Sequence, residues 1–220
     1  MDQKLISNAL KDVRSSSKRN FVQSVDLIIN LKGLNLKDPA HQVDQYIQMH
    51  YPRGKPVKLC AFVGPELADQ SREVMDATIS VDDFPQYSDK KQLKKLAKQY
   101  DFFVAQATVM PKVASVFGKV LGPRGKMPNP RAGCVVPPNA NLKPLAARLR
   151  TTARAAARTA PTVQVAVGRE DMKDEELAEN AFAVYNGVLH ALPQEKNNIS
   201  AVYLKLTMGK PVKVEEKKEK

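Results

Sequence analysis

Three groups of residues in this 220-residue chain have types and spacing that could do chemistry. The loop 117–133, FGKVLGPRGKMPNPRAG, combines four glycines and three prolines with the cations Lys119, Arg124, Lys126 and Arg131. Glycines let backbone N–H groups approach an anion closely, and the cations would neutralise it. A rigid turn with solvated cations fits the same composition. Nucleotide hydrolysis fits poorly, because G-x-x-x-x-G-K-[ST] needs Gly where Val120 stands and Ser or Thr where Met127 stands. The second group is Arg150, Arg154 and Arg158 in LKPLAARLRTTARAAAR, a stretch whose alanine content predicts a helix. On a helix these arginines form one ridge beside Leu142, Leu145 and Leu149. Unpaired like charges at that spacing cost a few tenths of a kcal/mol per pair, so an anion would relieve them; a solvated face is the alternative. The third group is Ser24 and Asp26 near one end of the chain and Thr207-Met208-Gly209-Lys210 near the other. If their strands are neighbours, they bring a hydroxyl, a carboxylate, a flexible apolar group, a bare backbone position and a cation to one patch. Such a patch could bond a 2′-OH, pack on a ribose and meet a phosphate. Composition favours core positions for Phe21 and Met208, and strict alternation places Phe21 on the apolar side.

No enzymatic set assembles. His41, His50 and His190 are scattered, and no H-E-x-x-H, G-x-S-x-G or C-x-x-C occurs. The acids Glu170, Asp171, Asp174, Glu175 and Glu176 lie at a predicted helix start, where carboxylates complement the helix dipole. No metal or cofactor is expected. Cys60 and Cys134 lack metal or disulfide spacing and read as buried thiols.

Charge is distributed unevenly around these groups. From Phe102 to Arg169 there is no Asp or Glu, yet 11 Lys and Arg; without them the chain's 35 cations become 24, against 23 acids. A block of one sign attracts polyanions, nucleic acid first among them. No apolar run approaches the ~20 residues of a membrane span. The first residues also lack the apolar centre of a secretory signal, so the chain reads as cytosolic with no membrane partner.

The elements that must position these residues alternate in character. Residues 3–14 predict a helix, and FVQSVDLIINLKG a strand in which Val25, Leu27, Ile29 and Leu31 alternate with Ser24, Asp26, Ile28 and Asn30. YIQMH predicts another strand before the turn-rich YPRGKP. VKLCAFV, ATISV and FFVAQATV then alternate with the helices ELADQSREVMDA, SDKKQLKKLAKQ (Ser88 as cap) and PKVASVF, which predicts βαβ units in a parallel sheet. PTVQVAVG, DEELAENAFAVYNGVLHAL and ISAVYLKLTMG close the chain as strand, helix, strand. The opening and closing segments together supply four strands and two helices. The economical architecture is an α/β domain inserted into a split α+β domain with a four-stranded sheet and two helices, with crossings near 54–57 and 155–160 that suggest a hinge.

The loop GKVLGPRGKMPNPRAG, Gly118 to Gly133, resembles the signature of the large-subunit ribosomal protein L-one family. KRNFVQSVDLIINLKGLNLK and SAVYLKLTMGKPVKV resemble its two other hallmarks in the archaeal or eukaryotic style, and the resemblance spans essentially the whole chain. It implies a discontinuous rRNA-binding domain, 1–54 and 157–220, and an inserted Rossmann-like domain, 55–156. It also implies a non-enzymatic function: binding large-subunit rRNA, forming the mobile stalk beside the tRNA exit site, aiding release of deacylated tRNA and, in many members, repressing the protein's own mRNA. The expected setting is cytoplasmic, as a monomer within the large ribosomal subunit. Carried over, the family's RNA contacts fall on Phe21, Ser24, Asp26, Gly168, Thr207, Met208 and Gly209, with Lys18, Arg19 and Lys210 flanking them. Bacterial members tend to have Thr and Glu where this chain has Ser24 and the shorter Asp26. The competing expectation is a non-specific basic nucleic-acid-binding protein using the acid-free block, with Lys119, Arg124, Lys126, Arg131, Arg150, Arg154 and Arg158 as its cationic surface.

Overall fold

The alternation in SVDLIINL becomes strand β1 (Ser24–Leu31), which buries every second residue in the computed structural model. The structure describes residues 3–16, 19–38 and 41–215. They fall into two compact units, one drawn from Met1–Lys55 and Thr151–Lys220, the other from Pro56–Arg150.

In the first unit β1 is paired on both sides. It runs antiparallel to β8 (Thr162–Arg169) and to β9 (Ile199–Leu206), and the two-residue β10 (Val212–Lys213) completes a sheet of order β10-β9-β1-β8. The helices α1 (Gln3–Ser16) and α6 (Asp174–Leu189) supply the facing apolar stripes: Ile6, Leu10 and Val13 from one, Leu177, Ala181, Val184 and Val188 from the other. These meet Leu27, Ile29, Val163, Val165 and Leu204 in a single core. Asn180 lies fully buried within the stripe of α6. Its Oδ1 accepts from the Tyr51 N–H at 3.0 Å, and its Nδ2 donates to the carbonyls of Tyr51 (3.1 Å) and Val167 (2.9 Å).

The predicted four strands and two helices are therefore present, with two differences. The segment containing YIQMH forms β2 (Val43–Gln48), which pairs with β7 (Thr152–Ala157) as a separate ribbon and leaves the sheet's fourth position to β10. The helix expected through residue 158 stops at Thr151, so Arg154 lies on a strand and Arg158 just beyond it, and the predicted helical ridge does not form. The physical reason is a period of two hidden under alanine's helix propensity: Ala153, Ala155 and Ala157 point into the core while Arg154 turns outward. Nor are these two arginines free. Arg154 meets Asp44 through two hydrogen bonds of 2.7 and 3.1 Å, Arg158 meets the same carboxylate, and the Arg154 guanidinium lies 5.7 Å from the Tyr46 ring centroid.

Burial alone would raise the Asp44 carboxyl, but the hydrogen bonds from Arg154 and Arg158 outweigh it and hold the group below its ordinary value. A carboxyl lowered by folding stabilises the fold above its unfolded pKa, and that contribution is lost as pH falls through the folded pKa. Urea midpoints measured from neutral pH to below about pH 4 should therefore fall less steeply for Asp44→Asn than for the native chain.

In the second unit β3 (Leu59–Val63), β4 (Ala77–Ser80), β5 (Phe102–Gln106) and β6 (Val135–Val136) are all parallel, in the order β4-β3-β5-β6. All five residues of β3 are buried, as a strand covered on both faces requires. The covering helices are α2 (Pro65–Val74), α3 (Lys90–Gln99), α4 (Met110–Leu121) and α5 (Leu142–Thr151). The cap of α3 is Asp89 rather than Ser88, its carboxylate accepting from the Lys91 N–H at 2.9 Å. Phe62, Phe103 and Phe117 form the centre of the core, the Phe103 and Phe117 ring centroids lying 5.6 and 4.5 Å from that of Phe62. Cys60 and Cys134 are buried, and burial pushes their thiols up to about 12 and about 11 respectively, which keeps them uncharged.

Candidate nucleic-acid interface

The register of the first unit brings three chain segments to one end of its sheet. Val25 stands opposite both Gly168 on β8 and Leu206 on β9, so the residues preceding β1, ending β8 and following β9 are neighbours. The turn after β9 is tied to β1: the Thr207 N–H donates to the Ser24 carbonyl at 3.1 Å, the Thr207 hydroxyl reaches the same oxygen at 3.3 Å, and the Gly209 N–H donates to Leu206 at 2.9 Å. Gly168 is closely packed: a Cβ there would run into Leu177 and lie 2.8 Å from the Met172 sulfur, so both side chains would have to shift.

Gln23, 2% exposed, holds the three segments together. Its side-chain Oε1 accepts from the Met208 N–H at 3.0 Å, its backbone carbonyl accepts from the Glu170 N–H at 2.8 Å, and its own N–H reaches Glu170 Oε2 at 3.3 Å. Arg14 fixes the corner after β8 from behind, donating to the Glu170 carbonyl at 2.7 Å and pairing with Asp174 at 2.8 Å.

What this scaffold presents outward is apolar. Phe21, Val22 and Met208 are 56%, 50% and 61% exposed, the large hydrophobic residues that stand in solvent among those described. This corrects the expectation that Phe21 and Met208 are core. The alternation of β1 does not extend back to Phe21, because residues 21–23 are outside the strand. Arg19, Asn20, Phe21, Val22, Glu170 and Asp171 line a shallow cavity of about 390 Å³ beside them. Ser24 and Asp26 are half-buried, and Arg19, Thr207 and Lys210 are exposed; Lys18 lies outside the described residues.

Asp26 raises a different question. Burial pushes its carboxyl up, against an opposing pull from Lys205, its partner in the strand pairing. A carboxyl raised by folding costs stability while it is ionised and ceases to do so as pH falls through the raised pKa. Asp26→Asn should therefore raise the thermal midpoint at neutral pH. If the carboxylate accepts hydrogen bonds from RNA, the same change weakens binding about tenfold, the worth of one charge-assisted hydrogen bond. Melting curves and equilibrium titrations of one preparation check both signs.

The glycine-rich loop behaves as a turn. The N–H groups of Gly122, Gly125, Lys126, Ala132, Gly133 and Cys134 all donate to backbone carbonyls, and that of Arg131 to Asn129 Oδ1. Arg124 donates to the Lys94 carbonyl at 3.0 Å yet stays exposed, like Lys119 and Arg131, whereas Lys126 is half-buried and donates to the Tyr100 carbonyl at 2.6 Å. Arg150 is exposed and touches the Val74 carbonyl at 3.4 Å. These belong to the second unit, whereas the strand-end cluster belongs to the first.

The second unit's sheet also has the switch point, between β3 and β5, where doubly wound sheets bind ligands. Here Gln106 fills it: Oε1 accepts from the Gly64 N–H at 2.8 Å and Nε2 donates to Glu66 at 2.6 Å. A carboxylate in the first turn of α2 stands where a phosphate would have to approach, which argues against the nucleotide reading.

Sequence reasoning missed Gln23, Val22, Glu170 and Lys205. Nothing in the sequence marks Gln23, whose role comes from backbone groups in two distant segments.

A family model described as "Ribosomal protein L1p/L10e family" matches residues 13–210. The large ribosomal subunit protein uL1 of Methanothermococcus thermolithotrophicus is 43% identical over 217 residues, covering 98% of this chain and 100% of the relative. Those of Nanoarchaeum equitans and Thermococcus kodakarensis are 44% and 37% identical, covering 93% and 97% of this chain and 97% and 98% of the relatives.

Proposed function

Because the chain belongs to the ribosomal protein L1p/L10e family, in its archaeal form, we propose that this structural, non-enzymatic constituent of the large ribosomal subunit binds large-subunit rRNA directly through the strand-end cluster of its first unit. The discontinuous unit is the rRNA-binding domain and the inserted α/β unit is Rossmann-like. The observation that carries the reading is Phe21 and Met208, two large apolar side chains held in solvent by a rigid hydrogen-bonded frame and surrounded by Ser24, Asp26, Thr207 and Arg19. A cluster of large apolar side chains exposed together on a fixed scaffold marks an interaction surface. Riboses and unstacked bases offer flat apolar faces with hydroxyls beside them, which suits Phe21 and Met208 with Thr207 and Asp26.

Within the ribosome the protein forms the mobile stalk beside the tRNA exit site and aids release of deacylated tRNA, with the exposed cations Lys119, Arg131 and Arg150 of the second unit as an electrostatic surface for passing RNA. A similar fold in its own message makes it a translational repressor. The test is an equilibrium titration of the chain with a large-subunit rRNA junction and with random RNA of equal length across a salt series. Specific binding keeps its advantage over random RNA as salt rises, because packing and 2′-OH bonds release few counterions. Equal affinity for both RNAs, with one steep salt slope, would establish the non-specific basic binder instead.

A further inference from the structure

The sheet of the first unit has a second face, of which the strand-end cluster uses only the end nearest Ser24 and Asp26. The helices cover one side, where β1 and β9 bury Leu27, Ile29, Val202 and Leu204. Neither Ile28 nor Tyr203 belongs to that core, whereas Val212 in β10 and Val214 just after it pack against it. Both residues therefore stand on the opposite face, half-buried, and the register sets them side by side on the two central strands.

Around this pair the sheet supplies an amide and two cations. Gln164 lies across from Ile28 on β8 and is exposed, Lys213 lies across from Tyr203 on β10, and Lys205 follows Tyr203 by one pleat repeat, about 7 Å along β9. Lys213 already holds Glu215 at 2.6 Å, and Asp26 is the one carboxylate that the four strands turn to this face. An amide that reads base edges, an aromatic ring on a central strand and lysines at phosphate distance on either side are the equipment by which open four-stranded sheets stack unpaired nucleotides. A protein partner would need a larger apolar patch than one tyrosine and one isoleucine. The face is also continuous with the strand-end cluster: Asp26 and Lys205 are paired across β1 and β9, with Thr207 two residues further along β9's exit.

We propose that this open face is a subsite for single-stranded RNA, with a base stacked on Tyr203 beside Ile28 and the adjoining phosphates met by Lys205 and Lys213. The subsite rests on the RNA-binding reading given above and extends it from a folded junction to the unpaired nucleotides next to it. The probe is an unstructured RNA octamer of mixed A and U, titrated at low salt into the native full-length chain, Tyr203→Phe and Tyr203→Leu, with the rRNA junction titrated in parallel. The octamer should bind the native chain and Tyr203→Phe alike and Tyr203→Leu about tenfold more weakly, since removing one aromatic stacking partner costs on that order. Thermal midpoints of the three proteins show whether leucine has disturbed the sheet, and a Lys205→Gln variant, whose side chain is not part of the core, should weaken the octamer independently of that. Equal octamer affinity for native, Tyr203→Leu and Lys205→Gln chains overturns the subsite while leaving junction binding intact. Loss of specific junction binding with the octamer pattern preserved would instead sink the strand-end reading.

Discussion

Phe21→Ala combined with Met208→Ala is expected to reduce affinity for the large-subunit rRNA junction roughly 100-fold or more while leaving the fold intact. Each side chain is more than half exposed in the free chain, so truncation removes little packing within the protein and the thermal midpoint should stay within a few degrees. In the complex each would be covered, and burying a Phe or Met side chain is worth about 1.5–3 kcal/mol. Two such contacts at the centre of an interface are the kind of anchor that dominates binding energy, and about 3 kcal/mol between them is already more than 100-fold. Filter binding or calorimetry at fixed salt measures it. A double variant that binds the junction as the native chain does would return both residues to a role unconnected with RNA. The single variants tell more: Met208 sits on a turn locked by Gln23 and Thr207, whereas Phe21 precedes its strand, so Met208→Ala should alter off-rate with little effect on the neighbouring backbone.

The second large effect is on stability. Asn180→Ala should destabilise the first unit by about 3 kcal/mol, since it strips partners from the Tyr51 N–H and from the carbonyls of Tyr51 and Val167. Leaving one buried polar group unsatisfied costs about 1–3 kcal/mol. Alanine also leaves a small void in the stripe that α6 packs on the sheet. The second unit shares none of these contacts. Urea unfolding followed by a probe in each unit should show the first transition moving to lower urea and the second unmoved. Coincident movement of both would mean that the units unfold as one cooperative block.

What could be read from the sequence depended on whether a single strong signal was present. The alternation Val25, Leu27, Ile29, Leu31 was unambiguous and gave β1 its faces, and the near-continuous apolar run LCAFV gave a strand covered on both sides. Residues 152–157 were hidden because alanine satisfies two patterns at once: it has the best helix propensity, yet its small side chain also fits beneath a helix when every second residue turns inward. Only the partner strand β2, about a hundred residues earlier, decides between them. Val212–Lys213 was too short to announce itself as the fourth strand. Ser24, Asp26 and the Thr207–Gly209 turn were singled out by residue type together with the family resemblance, and the structure brings them to one end of the sheet. Gln23 and Asn180 escaped because a buried amide has meaning only through the backbone groups it meets, and those lie in other segments. Phe21 was misplaced by extending a strand's period three residues beyond its start.

The pairing of β1 with strands that close the chain has a consequence in the order of synthesis. Both of β1's neighbours in the sheet, β8 and β9, emerge only after the whole of Pro56–Arg150 has been made. At ordinary translation rates the interval is on the order of ten seconds, during which SVDLIINL has two unsatisfied edges and an uncovered apolar side. The intervening unit, by contrast, contains all of its own strands and can complete itself in that time. Its folding also shortens the effective loop, because Gln48 and Thr152, on either side of it, are paired in the ribbon and the Met49 N–H reaches the Thr151 carbonyl at 3.0 Å. The interval before β8 and β9 emerge is thus the period in which the N-terminal segment is most exposed to aggregation, and an early-folding insert shortens the search that ends it.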